Sequence, residues 1–254
     1  MRAFALPAAT LWWRECVRFY RDRVRALSSI VTAVLFWVLI GFGLGRSFAP
    51  QGMPGGMSSI EYLYPGTIVF VVLLTAVVGT FSLIEDRREG FLQGVLVAPV
   101  PRSAIVMGKV LGGTTIAVFQ GALLLLVAPL VGIPYHAAGM ALAVVALFLT
   151  AFAFNALGFV LAWRMESIQG FHGIVNLVLM PMWFLSGALF PLDGAARGLE
   201  VLMRGNPVTY GLAAFRASLY ASSAAGPAAP AVAWIVTAAF AAATFALAVV
   251  MARR

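Results

Sequence analysis

A chain of 254 residues with 62% hydrophobic and 10% charged residues and a mean hydropathy of +0.98 lies outside the composition of soluble domains. A soluble fold of this size still leaves about a quarter of its surface in water, so this much apolar side chain excludes a water-soluble globule and predicts a polytopic membrane protein. Nine acidic residues, two histidines and one cysteine leave little for a metal cluster or an acid/base pair and nothing for an intrachain disulfide, and the net charge of +8, with no aromatic-interleaved basic patch, speaks for membrane topology over nucleic acid.

Residues 3 to 13, AFALPAATLWW, are broken by Pro7 and followed by Arg14 and Glu15 without a small-residue cleavage site, so no cleaved leader is expected. Segment 7–25 reads instead as an interfacial helix. At about 100° per residue, Trp12, Trp13, Cys16, Val17, Phe19, Tyr20 and Val24 share an arc of about 160°, and Arg14, Glu15, Arg18, Arg21, Asp22 and Arg25 take the other side. Such a helix lies in the headgroup layer, with Trp12, Trp13 and Phe19 toward the apolar side and Arg14, Arg18 and Arg21 toward anionic lipid. Cys16 reads as a packing residue. The helix serves either as a positive anchor or as an elbow that holds one face of a cytosolic partner.

A crossing needs about 20 mostly apolar residues. Charge-free runs place six spans at about 26–45, 62–84, 110–131, 138–163, 167–190 and 231–252 of a single transmembrane domain, 1–254. The third and fourth share one run between Lys109 and Arg164, interrupted by Gly132, Pro134 and Gly139. Continuous apolar runs exclude a barrel, whose strands alternate, and the fold class is all-α. Segments 1–25, 85–109, 164–166 and 253–254 hold thirteen of the seventeen Lys and Arg, which puts both termini in the cytoplasm.

The loop 85–102 reads EDRREGFLQGVLVAPVPR. Phe91, Leu92, Val95 and Leu96 have the spacing of one helical face, and Pro99 and Pro101 stop the helix. That face must be buried on lipid, on the rest of the chain or on a second protein. Gly41 and Gly45, and Gly108 and Gly112, form two G-x-x-x-G pairs that permit close helix approach, within the chain or between subunits. In segment 191–230, Asp193, Arg197, Glu200, Arg204 and Arg216 keep most of the chain out of hydrocarbon, and Asn206 and Pro207 read as a helix start. Short re-entrant helices are expected there, as an external gate or a passive cap.

Three patches resemble the membrane subunits of type-2 ATP-binding-cassette exporters, the group that includes drug, polysaccharide and lipid-linked nodulation-factor export permeases. They are Arg88-Glu89-Gly90 with LVAPVPR at 96–102, MPMWFLSGALFPL at 180–192, and NPVTYGLAAFR at 206–216. Six spans, an amphipathic N-terminal helix and cytoplasmic termini extend the likeness over nearly the whole chain. The resemblance implies a coupling helix seated in a groove of an ATPase. Glu85, Asp86, Arg87, Arg88 and Glu89 would supply charged contacts, Phe91, Leu92, Val95 and Leu96 an apolar seat, and Pro99, with Arg102 beyond it, a rigid exit. Outside the membrane, Pro181, Phe184, Leu185, Phe190, Pro191, Asn206, Pro207, Tyr210 and Arg216 would form the gate.

The chain has no G-x-x-x-x-G-K-[ST] loop to cradle phosphates. It therefore reads as no enzyme and as holding no metal or cofactor of its own, with ATP and Mg bound on two separate nucleotide-binding subunits. A second copy of the chain or a homologous permease, and membrane lipid, complete the implied partners, and amphipathic, lipid-like or glycan cargo the implied substrates. An ion-coupled carrier would need ionisable groups within the spans, for which His172 is the nearest candidate. A lipid-modifying enzyme would need converging groups, whereas Glu61, His136 and Glu166 are scattered.

Overall fold

The computed structural model describes residues 2–21, 58–133, 136–192, 196–220 and 229–253, with single positions at 31, 35 and 38. Apart from those three positions, the expected first span, 26–45, with the Gly41–Gly45 pair, lies outside the described residues, as do residues 193–195 and 221–228 of the external segment. Everything described is helix, turn or irregular chain, with no strand among the described residues. The helices are α1 (Arg2–Arg21), α2 (Ser59–Gly79), α3 (Phe81–Arg88), α4 (Phe91–Val97), α5 (Arg102–Leu125), α6 (Ala137–Trp163), α7 (Ile168–Phe184), α8 (Arg197–Arg204), α9 (Pro207–Tyr220) and α10 (Pro230–Arg253). Four rods are long and apolar enough to cross a membrane: Ile60–Arg88, which joins α2 to α3, then α5, α6 and α10; α7 is a shorter apolar helix.

α2 begins with a capping box in which the Ser58 hydroxyl accepts from Glu61 N and the Glu61 carboxylate accepts from Ser58 N at 2.8 Å. These bonds satisfy two of the free donors that every helix start leaves. From Tyr62 to Leu73 every residue is buried, because α2 is apolar all round and α5, α6, α7 and α9 pack around it. α7 buries one stripe, Phe171, Val175, Leu179 and Trp183, at a four-residue repeat; Phe171 packs on Phe81 of α3 and Trp183 on Phe70 of α2, and Trp183 Nε1 donates to Gly66 O at 2.8 Å. α10 packs on α6 and α9 and leaves Val232, Ile235, Leu247 and Val250 exposed.

Two elements depart from the sequence expectation. Lys109, expected to end the loop, lies inside α5, which starts at Arg102, eight residues before the expected span start at 110, and its ammonium is paired within the bundle. Arg216, expected to hold its segment in water, is buried: it donates to Tyr62 O at 3.0 Å, with its guanidinium carbon 4.2 Å from the centre of the Tyr62 ring. α9 is thus part of the bundle core, and Gly211 lets it approach Thr150 of α6.

Candidate functional site

The Arg-rich end of the bundle is organised around one carboxylate. Asp86, on α3, is fully buried, and its oxygens accept from Arg14 at 2.8 and 3.0 Å, from Arg18 at 3.1 Å and from Lys109. Lys109 Nζ also donates to Glu15 at 2.6 Å and to the Ser82 hydroxyl at 3.3 Å, and Arg18 pairs with Glu85 at 2.7 Å. Three acids meet three cations from three helices, so charges that would each be costly in a dry site compensate one another. The bonds to Asp86 hold the Arg14 guanidinium above its ordinary pKa, outweighing its desolvation.

α1 reaches this cluster because α5 presents almost no side chain to it. A Cβ on Gly108 would lie 2.6 Å from Ala8 O, and one on Gly112 would lie 2.5 Å from Glu15 Cβ. The second glycine pair therefore packs α1 on α5 within the chain. Ala8, Leu11 and Glu15 form the buried stripe of α1, and Trp12 Nε1 donates to Thr115 at 2.9 Å. This corrects the surroundings expected for two arginines of α1. Arg14 and Arg18 face protein carboxylates, not anionic lipid, and the apolar arc faces outward, with Trp13 and Tyr20 exposed, Phe19 half-buried and Arg21 exposed. Burial, with the neighbouring Glu15 charge, pushes the Cys16 thiol above its ordinary pKa.

The α3–α4 corner stands directly on the cluster. Gly90 makes the turn at φ 76°, a conformation that costs glycine little. The Arg14 guanidinium carbon lies 3.8 Å from the centre of the Phe91 ring. One side chain of α1 thus touches both the end of the Ile60–Arg88 rod and the start of α4. Arg87 donates to the carbonyls of Trp163 and, at 3.3 Å, Met165, and Arg88 donates to Glu166 O at 3.1 Å, so α3 is also tied to the end of α6.

The charged and apolar residues expected to contact an ATPase therefore divide. Asp86 is wholly enclosed and Glu85 is held by Arg18, so neither is a free surface charge, whereas Arg88 and Glu89 are exposed. Leu92 is 3% exposed and belongs to the chain's own core, with Leu96 packed against it, because α4 folds back on α3. Phe91 is partly open at 36% and Val97 is open at 87%. Val95 and Arg102 are half-buried, and Ala98 and Pro99 exposed. Sequence reasoning missed Glu15, Ser82 and Lys109; an unpaired Lys at a span edge opposite Glu85-Asp86 was the available signal.

At the other end, Asn206 caps α9. Its Oδ1 accepts from Val208 N at 3.1 Å, its Nδ2 donates to Met182 O on α7 at 2.5 Å, and Pro207 opens the helix. Thr209 donates to Met203 O at 2.8 Å and Tyr210 to Arg204 O at 2.8 Å. Pro181 and Phe184 are exposed, and Leu185, Phe190 and Pro191 half-buried. These residues gather around the α7–α9 junction, across the bundle from the ion cluster.

The described rods, the buried ion cluster at one end and the helical corner projecting there define a multi-pass membrane protein. Residues 8–220 match the family described as ABC-2 type transporter, and the chain belongs to that family. It is similar to the inner membrane transport permease YadH of Escherichia coli, 26% identical over 220 residues, with 85% of this chain and 84% of that protein covered. Nodulation protein J of Rhizobium leguminosarum bv. viciae is 31% identical over 199 residues, with 76% of each covered. The chain is a transport permease subunit, and membership of the family implies association with ATP-binding-cassette ATPase subunits.

Proposed function

We propose that this chain is the inner-membrane permease subunit of an ATP-driven exporter, with both termini in the cytoplasm. Two copies, or one copy and a homologue, pair with two ATPase subunits that bind ATP and Mg, and the cargo is amphipathic, lipid-like or glycan. The reading is carried by the α3–α4 corner: a short helix anchored by Leu92 yet exposing Val97, and joined through Phe91 and Arg14 to the ion cluster. A rigid push on α4 is transmitted to α1 and the Ile60–Arg88 rod together, because Arg14 and Asp86 bind all three. ATP binding then biases one arrangement of the bundle over another, as coupling between two sites requires.

The residues that dock are accordingly Phe91, Val97, Ala98, Pro99, Arg88 and Glu89, with Leu92 and Leu96 as the anchor. Val97→Asp places a charge on an exposed position and should leave folding intact while reducing co-purification of the ATPase at least tenfold. Normal co-purification together with normal ATP-dependent activity of the complex would refute the docking assignment.

A further inference from the structure

A cavity of about 360 Å³ lies beside the α3–α4 corner, lined by Arg87, Leu92, Gln93, Leu96, Arg102, Trp163, Ala252 and Arg253. Three guanidinium groups reach it from three different helices. Arg87 is at the end of α3, Arg102 is the first residue of α5 and Arg253 the last of α10. None of the described lining residues is acidic. The ion cluster engages none of these three arginines. Arg87 is fixed by the Trp163 and Met165 carbonyls, which set its place without cancelling its charge. No side chain caps the start of α5, so the positive end of a 24-residue helix adds to the same field. Such an arrangement calls for a compact anion with several acceptor oxygens.

The height of the cavity selects the anion. Trp163 ends α6, Ala252 and Arg253 end α10, and Arg102 begins α5, so the cavity sits where three apolar rods leave hydrocarbon. Tryptophan and arginine at span ends mark the headgroup layer, and phospholipid phosphates lie at that depth. Its fourth wall is apolar, made by Leu92 and Leu96, and α10, which ends at the cavity, leaves Leu247 and Val250 exposed on its surface. An acyl chain can follow that surface while its phosphate enters the cavity. We propose that this cavity binds the phosphodiester group of an anionic phospholipid. On the orientation proposed above it opens to the inner leaflet, but the site itself does not depend on that reading or on an ATPase.

The test uses the full chain, purified in detergent, with phosphatidylglycerol, phosphatidylcholine and inorganic phosphate as probes and bound lipid read by native mass spectrometry. Phosphatidylglycerol should be retained in preference to phosphatidylcholine. Arg102→Gln with Arg253→Gln should lower its affinity roughly 30-fold, given the usual effect of two basic residues near an anionic headgroup. The corresponding double Lys variant should recover much of the loss, and Arg197→Gln with Arg204→Gln, on α8, should have no effect. Melting temperature checks the fold; if the double Gln variant melts early, Arg253→Gln alone, at an exposed position, serves. Equal retention of the two lipids, or equal losses from the cavity and α8 variants, would overturn the proposal. Displacement by millimolar inorganic phosphate without lipid preference would also overturn it, and would assign the cavity to a free anion.

Discussion

Asp86 has more cationic partners than any other described carboxylate, and its replacement tests what the cluster contributes. Asp86→Ala leaves Arg14 and Lys109 facing each other without a counter-charge, and breaking a buried ionic group in this way costs about 3 to 5 kcal/mol. The expected result is a large drop in melting temperature in detergent, partly restored by adding Lys109→Met, which removes the stranded cation. Equal stability of Asp86→Ala and the parent would show that the cluster is dispensable. Such residues are also where local sequence patterns stop being informative. Asp86 lies 72 residues from Arg14, and Lys109 lies 94 from Glu15, so their pairing has no periodic trace. Each looked like a solvated charge or a span boundary because its compensating partner comes from another helix. Arg216 was misplaced outside the bundle for the same reason: its acceptor, the Tyr62 carbonyl, is 154 residues away.

At the scale of elements, apolar runs were legible because lipid demands them whatever the tertiary partners. α6, at Ala137–Trp163, falls within a residue of the expected 138–163. What covers the polar face of α1 was not legible, since an amphipathic wheel shows two faces without saying that the charged one meets the protein. Gly108 and Gly112 settle it by close approach, and that makes a prediction. Gly108→Val forces a side chain into the Ala8 backbone and should cost about 1 to 3 kcal/mol, releasing α1 to protease while the rods stay protected. Unchanged protection of α1 would contradict the packing described. The Asn206 cap was readable from Asn-Pro alone, but its second bond, to Met182 O, was not. Losing the cap and leaving that carbonyl unpaired makes Asn206→Ala cost about 2 kcal/mol, visible as faster amide exchange in the first turn of α9. Exchange at the parent rate would remove Asn206 from the α7–α9 junction.

For the whole molecule, the two ends of the bundle differ in kind. One carries the ion cluster, the α3–α4 corner and the arginine-lined cavity; the other is closed by bonds from Tyr62, Tyr220 and Asn206 to main-chain carbonyls. A permease driven by a soluble ATPase should engage it only at the first end. Val97 and Leu130 are both highly exposed, at 87% and 84%, and mark the two ends. The most direct measurement is disulfide or thiol cross-linking from Val97→Cys and from Leu130→Cys, each in a Cys16→Ser background, in membranes that also hold the ATPase. A cross-link to the ATPase from position 97 and none from position 130 is expected. A cross-link from 130, or none from 97 in an active complex, would contradict the proposal that α4 is the coupling element of this permease.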